Sequence, residues 1–290
     1  MKCIRSITLF LAVALFTGCP PVNENDAATG DAITLDDCET SFGDDVQAFY
    51  STYFSCVTVS VSGTNTLINS DNLPPHESWY FSDEHGNYIE WASQGDGYYL
   101  NPNMISTQDL TISIPNEPTS RGLTINGSLV DGEIGTSNYE YDMSTVGIAL
   151  DGCSLFNPLA GPGDDIEDEK YSFDLYSGHP EMTGNYHYHT TTKGPLEVLE
   201  HKGLIQTPVV GSAEIELYGI MCDGTLIMGC TELDGSTPDN SDFDSQNGHV
   251  HDISDGTTVH FTNRYHTHIC TETFISHRFT PEIQYYEGCN

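Results

Sequence analysis

One unit occurs twice in this chain, and its repetition constrains the fold more than any other feature. Gly147-Ile148-Ala149-Leu150-Asp151-Gly152-Cys153-Ser154-Leu155 recurs as Gly219-Ile220-Met221-Cys222-Asp223-Gly224-Thr225-Leu226-Ile227. In both copies an apolar run meets an Asp-Gly turn and a second apolar run, the pattern of a β-hairpin. An acidic loop follows, residues 161–169 in the first copy and 232–244 in the second. A Gly-His pair comes next, Gly178-His179 and Gly248-His249. The unit closes on Tyr-His-x-His, as Tyr186-His187-Tyr188-His189 and Tyr265-His266-Thr267-His268. The order of features is the same although the loop lengths differ, so a duplicated hairpin-loop-strand unit is expected over about residues 146–192 and 218–271.

The rest of the chain reads as β structure as well. Residues 55–62 alternate apolar and polar side chains, as a half-buried strand does, and residues 110–114, 122–125, 146–150 and 213–220 also read as strands. Asp-Gly and Asn-Gly turns recur throughout, and 27 glycines with 14 prolines break any long helical period. Short helices are expected at residues 44–53 and 196–201. The expected fold is mainly β, an antiparallel sandwich or barrel-like domain with an internal duplication and few short helices.

Seven of the 12 histidines fall in three H-x-H pairs and the first Gly-His pair: His179, His187, His189, His249, His251, His266 and His268. On a strand, residues i and i+2 project to one face about 6.5–7 Å apart. Two imidazoles so placed can lean onto one metal ion, with a third ligand from a neighbouring strand or loop. Imidazole suits copper, zinc, iron or nickel, and copper or zinc is the expected ion. The tyrosines of Tyr186-His187-Tyr188-His189 then face the other way, into the core. Each ligand ring needs its second nitrogen held by a carboxylate or carbonyl, and Asp174, Asp244 and Asp252 are acidic neighbours for that role. His266, His268 and Cys270 also alternate and form a possible mixed set, set against a disulfide joining Cys270 to Cys289. The acidic loops at 161–169 and 239–244 offer oxygen donors to calcium, but neither fits an EF-hand loop. A histidine core held by hydrogen bonds alone is the alternative without metal. His76 reads as structural or as a peripheral ligand.

The N-terminus gives an address. Lys2 and Arg5 precede an apolar run of about ten residues, the length of a signal-peptide core and too short to cross a bilayer. The run ends in Phe16-Thr17-Gly18-Cys19, which resembles a bacterial lipobox with Cys19 as the lipidated residue. We therefore expect residues 1–18 to be a signal peptide, 19–37 a lipid-anchored flexible linker, and 38–290 one β-rich domain. Pro20, where an inner-membrane lipoprotein would carry Asp, favours the outer membrane in a Gram-negative host, the domain facing the periplasm or the cell surface. The net charge is −35, and loss of Lys2 and Arg5 takes it to −37. Such a chain repels nucleic acid, so the expected partners are the membrane, through the lipid, and a metal ion. Of nine cysteines, Cys3 leaves with the signal and Cys19 takes the lipid. Seven remain in an oxidising compartment, so one is free, metal-bound or shared between chains. Cys38 with Cys56 and Cys222 with Cys230 are the candidate short loops.

These residues resemble the YHYH-domain proteins, exported proteins named for the tetrapeptide that stands here at Tyr186 to His189. The resemblance runs from about residue 60 to 273. It includes Asn72-Leu73-Pro74-Pro75-His76, Leu100-Asn101-Pro102-Asn103, Asp151-Gly152 and Gly184-Asn185-Tyr186, with Gly178-His179 and the tetrapeptide as its specific part. The second copy departs from the tetrapeptide at Thr267. The resemblance implies architecture and the position of the site rather than a reaction. Three functions follow from the sequence: an extracytoplasmic metal-binding lipoprotein, a metal-dependent enzyme (a zinc hydrolase or a copper or iron oxidoreductase), and a non-catalytic envelope scaffold or adhesion protein. No H-E-x-x-H, G-x-S-x-G, P-loop or Rossmann glycine pattern points to a particular enzyme class.

Overall fold

The computed structural model describes residues 27–161, 164–270 and 279–289. The expected signal peptide and the lipidation residue Cys19 lie outside the described residues. The last part of the expected linker is docked rather than free. Ala27 and Ala28 are buried, the Ala28 amide donates to the Ile105 carbonyl, and the Ile33 amide donates to the Asn87 side chain.

The chain is mainly β, with two sheets. The smaller has the order β1 (Ser41–Phe42), β2 (Thr58–Ser62), β3 (Asn65–Ser70) and β4 (Leu110–Pro115). Alternation shows in part: Val59, Ile68, Ile112 and Ile114 are buried and their neighbours more exposed, although Val61 near the end of β2 is exposed. The larger sheet contains β5 (Gly147–Ala149), β6 (Ser154–Leu155), β7 (Gly178–Pro180), β8 (Tyr186–Tyr188), β9 (Leu217–Met221), β10 (Leu226–Met228), β11 (Gly248–Ser254) and β12 (Val259–His268). Its order is β11-β12-β10-β9-β5-β6-β8-β7.

That order is the duplication made visible. β5 and β9 pair antiparallel at the centre, and each half then runs outward through the same steps. An antiparallel hairpin comes first, then a parallel step, β6 to β8 or β10 to β12, then an antiparallel edge pair, β7 with β8 or β11 with β12. The registers match as well, Ser154 beside His187 in one half and Leu226 beside His266 in the other. Both sheets are therefore mixed rather than purely antiparallel, and neither closes into a barrel. The parallel steps arise because each acidic loop carries the chain back before its last strand begins. Central strands β5 and β9 are buried along their whole length, which is why they read as unbroken apolar runs. One apolar cluster joins the two sheets, with Val59, Ile68 and Ile114 packed in the same body as Ile148, Leu217 and Ile220.

Helices are short. Helix α1 (Ala48–Tyr53) buries Phe49, Tyr50 and Tyr53, helix α2 (Ile166–Glu169) is a single turn, and α3 (Lys193–His201) buries Leu196, Val198 and Leu199. Residues 122–125 form no ladder; Ile125 is instead buried with Ile283 and Tyr286. Three disulfides form among the described residues. Cys38 pairs with Cys56 as expected, but Cys222 pairs with Cys289 and Cys230 with Cys270. The parallel register of β10 and β12 sets Met228 beside His268, so Cys230 and Cys270, each two residues further on, meet. This excludes the expected Cys222–Cys230 and Cys270–Cys289 pairs. Among the described residues Cys153 is the free thiol, buried beside the Asp151-Gly152 turn.

Candidate metal centres

In the first copy, β7 runs antiparallel to β8 and sets His179 directly opposite His187, with His189 two residues along. Their side chains are almost fully buried. The His187 Nε2 lies 3.1 Å from that of His179 and 3.0 Å from that of His189. The alternate side chains do as expected: the Tyr186 hydroxyl donates to Asp174, and the Tyr188 hydroxyl donates to Asp151. Gly178 is required by Tyr186, because a Cβ there would lie 2.5 Å from the phenol oxygen. That is one reason the motif begins Gly-His.

The second copy repeats this geometry. β11 against β12 sets His249 opposite His266. The His249 Nε2 lies 2.8 Å from that of His266 and 3.3 Å from that of His268. Tyr265 donates to Asp244, and a Cβ at Gly248 would lie 2.0 Å from the Tyr265 oxygen. Even the aromatic walls agree. Phe173 meets His179 edge-on and lies parallel to His189, as Phe243 does with His249 and His268.

The second ring nitrogens settle the tautomers. His187 Nδ1 faces the Asn185 carbonyl at 3.0 Å and His189 Nδ1 the Asn157 carbonyl at 2.6 Å. Ser172 donates its own proton to the Glu169 carbonyl, so its oxygen accepts from His179 Nδ1 at 2.6 Å. In the second copy the acceptors are the Arg264 carbonyl, the Gly229 carbonyl and the Asp242 carboxylate, for His266, His268 and His249. A carbonyl can only accept, so each Nδ1 carries a hydrogen and, in the neutral ring, each Nε2 presents a bare lone pair. Three buried lone pairs converging on one point repel unless a cation or a proton lies among them. Three nitrogens on a tetrahedral zinc ion at 2.0–2.1 Å stand about 3.3 Å apart, close to the separations here.

The two sets differ in the fourth group. Glu232 faces all three rings of the second, its oxygens 3.3, 3.2 and 3.4 Å from the Nε2 atoms of His249, His266 and His268. Among the described residues the first has only the three histidines within a common ligating distance. Its nearest carboxylate is Glu169, 3.7 Å from His179 Nε2, with its other oxygen buried and without a hydrogen-bond partner.

Charge follows the same division. Burial and then the charge of His189 hold His179 well below the ordinary imidazole range, burial with His179 and His189 does the same to His187, and burial lowers His189 to about 4. Burial also pulls His249 down, but Glu232 and Asp242 outweigh it and raise that ring. Burial works to raise Glu232, yet the three imidazoles that face it, when protonated, hold it well below the carboxylate range. Glu169, without such partners, is pushed up to about 7 by burial and then by the charge of Asp164.

The seven expected histidines therefore form two groups at opposite edges of the larger sheet, not one. His251 joins neither set of Nε2 atoms; it is half exposed and faces Asp242 at 3.1 Å. Cys270 is taken by its disulfide, so no His-His-Cys set forms. Asp174 and Asp244 hold tyrosines and Asp252 accepts from the Asn263 amide, so carbonyls, Ser172 and Asp242 orient the rings instead. The acids of the second loop turn to separate partners: Asp239 caps a helical turn, Asp242 faces histidines and Asp244 binds a tyrosine. Sequence reasoning missed Glu232, Asp242, Ser172 and Glu169 as parts of the sites. Three of them, Glu169, Glu232 and Asp242, lay in the two acidic loops already marked as following the hairpins. His76 bonds through Nε2 to the Tyr188 hydroxyl and stacks on Tyr176, and it also lies within a common ligating distance of Asp151 and Cys153.

Fold and sites together define a mainly β protein that duplicates one hairpin-and-histidine unit. The family model described as YHYH protein matches residues 111–242, so this part of the chain is similar to that family. The match takes in the whole first histidine set, and Glu232 and Asp242 of the second, but stops before His249. It is narrower than the span of residues 60–273 read from the sequence. Neither a search of curated proteins nor a search of solved structures finds a match.

Proposed function

We propose that this chain is an exported, lipid-anchored protein that holds a transition-metal ion, copper or zinc, in each of its two histidine sets. One observation carries the reading. In both sets three buried Nε2 lone pairs converge at 2.8–3.3 Å with every Nδ1 hydrogen already engaged. A histidine core that served packing alone would turn a donor towards each acceptor. Here nitrogen donors with oriented rings face one point, the arrangement that suits zinc or copper and not calcium or magnesium. Three disulfides support an extracytoplasmic address, since such bonds persist in oxidising compartments.

Elemental analysis of metal-replete protein tests the reading. The expected result is about two equivalents of copper or zinc per chain, and no bound transition metal would sink it. The address has a separate test. Cys19→Ala should abolish incorporation of labelled fatty acid and release the protein from membranes. Continued lipidation of that variant would remove Cys19 as the anchor.

A further inference from the structure

The repeat supplies an internal comparison for the fourth coordination position. Glu232 stands five residues after Ile227 in the second copy. The same offset from Leu155 in the first copy falls on Ala160, which is buried and has no donor atom. Among the described residues the first set has three ligating side chains within reach of one ion and the second has four.

Glu169 occupies the remaining side of the first set without being placed to ligate. One oxygen lies 3.7 Å from His179 Nε2, too far from the other rings to share their ion. Its second oxygen is buried and lacks a donor. A buried carboxylate oxygen without a donor is costly, and a metal-bound water would supply the missing hydrogen. The side chain is about a quarter exposed, so Glu169 lies between the rings and solvent. Three protein ligands plus one open position mark an exchangeable site, whereas four protein ligands mark a closed one.

We propose that the first set keeps one position for an exchangeable small ligand, water or a small anion, that meets Glu169, while Glu232 closes the second set. This rests on the reading of both sets as metal sites. It assigns reactivity to the half of the molecule that bears the Tyr-His-Tyr-His tetrapeptide and a holding role to the other half.

Cobalt(II) is the probe, because its visible spectrum reports a change of ligand. His266→Ala leaves only the first set to load, and His187→Ala only the second. Azide should shift the cobalt bands of the His266→Ala protein saturably, at one azide per cobalt, and leave those of His187→Ala unchanged. Glu169→Gln in the otherwise intact, fully loaded protein gives a second readout that needs no ligand removed. At pH 8 it should tighten azide binding several-fold, because a negative charge no longer faces the anion. No azide response at the first set, an equal response at the second, or unchanged affinity in Glu169→Gln overturns the proposal. Failure of either set to take cobalt would instead overturn the metal reading beneath it.

Discussion

The two halves of the larger sheet hold the same three nitrogens by the same strands, yet surround them differently. His179, His187 and His189 lie among Phe156, Phe173, Ser172 and backbone carbonyls, with one carboxylate, Glu169, 3.7 Å from a single ring. His249, His266 and His268 lie against two carboxylates, Glu232 on the Nε2 side and Asp242 on the Nδ1 side. The nitrogens come from strand register, which the duplicated hairpin fixes. The carboxylates come from the loop between hairpin and edge strand, where the copies have diverged. Position 172 is serine where the second copy has Asp242, and position 160 is alanine where it has Glu232. The sheet thus brings three ring nitrogens together in each half, and the loops set the charge around them.

The largest effect should come from removing one nitrogen from either half. His187→Ala and His266→Ala are each expected to lower bound metal from about two equivalents to about one, with the opposite site unaffected. Elemental analysis reads this directly, and loss of both ions from either variant would show that the two sites are one unit. A second contrast lies behind the tetrapeptide. In the first copy buried Asp151 accepts from Tyr188, whereas its counterpart Asp223 accepts from Thr225 and the Tyr286 amide. Burial raises Asp151 from 3.8 to about 6. The folded protein therefore holds this proton more tightly than the unfolded chain does. The resulting stability is present at low pH and is lost as pH rises through about 6. The shift corresponds to about 3 kcal/mol across the whole window. Asp151→Asn should remove that dependence. Urea unfolding at pH 4.5 and 7.5 should show the wild type losing about 2 kcal/mol more than the variant over that interval. Parallel pH profiles would remove Asp151 as the source.

How much of this was legible in the sequence follows from which interactions are local. The hairpins were legible because an Asp-Gly turn between apolar runs is a local signal, and the histidine pairs because strand alternation is local too. Six of the seven chosen histidines do converge. The opposition of His179 to His187 depends on an edge pair that no single segment specifies, and only the repeated order hinted at it. The fourth group was not legible. Glu232 looks like any other acid in a chain with 43 of them, and only the folded loop turns it onto three rings. The disulfides failed for a related reason. Cys222 and Cys230 are close in sequence, but β9 and β10 carry them apart and the parallel step brings Cys230 to Cys270.

The groups behind the rings offer a matched pair of substitutions. Asp242→Asn should weaken the second site about 10–100-fold, the usual cost of disturbing a group that orients a ligand ring. Ser172→Ala, at the equivalent place, should weaken the first site by less, because a neutral hydroxyl adds little to the basicity of His179. Metal competition with a chromogenic chelator, one site loaded at a time, measures both. Equal losses would mean that the carboxylate acts only by geometry, and the charge difference between the halves would lose its meaning.

The smallest effect concerns what keeps Glu232 in place. Cys230 lies two residues before Glu232 and Cys270 two residues after His268, so their disulfide ties the carboxylate loop to the strand that bears two of the rings. The first copy has Pro158 and Thr191 at the equivalent positions and no such tie. Replacing both cysteines by serine leaves every donor atom of the second site in the chain but frees its loop. Ordering that loop must then be driven by metal binding itself, at an entropic cost that grows only slowly with loop length. We therefore expect a loss of less than about tenfold at the second site, equivalent to under about 1.4 kcal/mol, and none at the first. A loss as large as that of Asp242→Asn would make the disulfide, rather than the carboxylates, the main difference between the two halves.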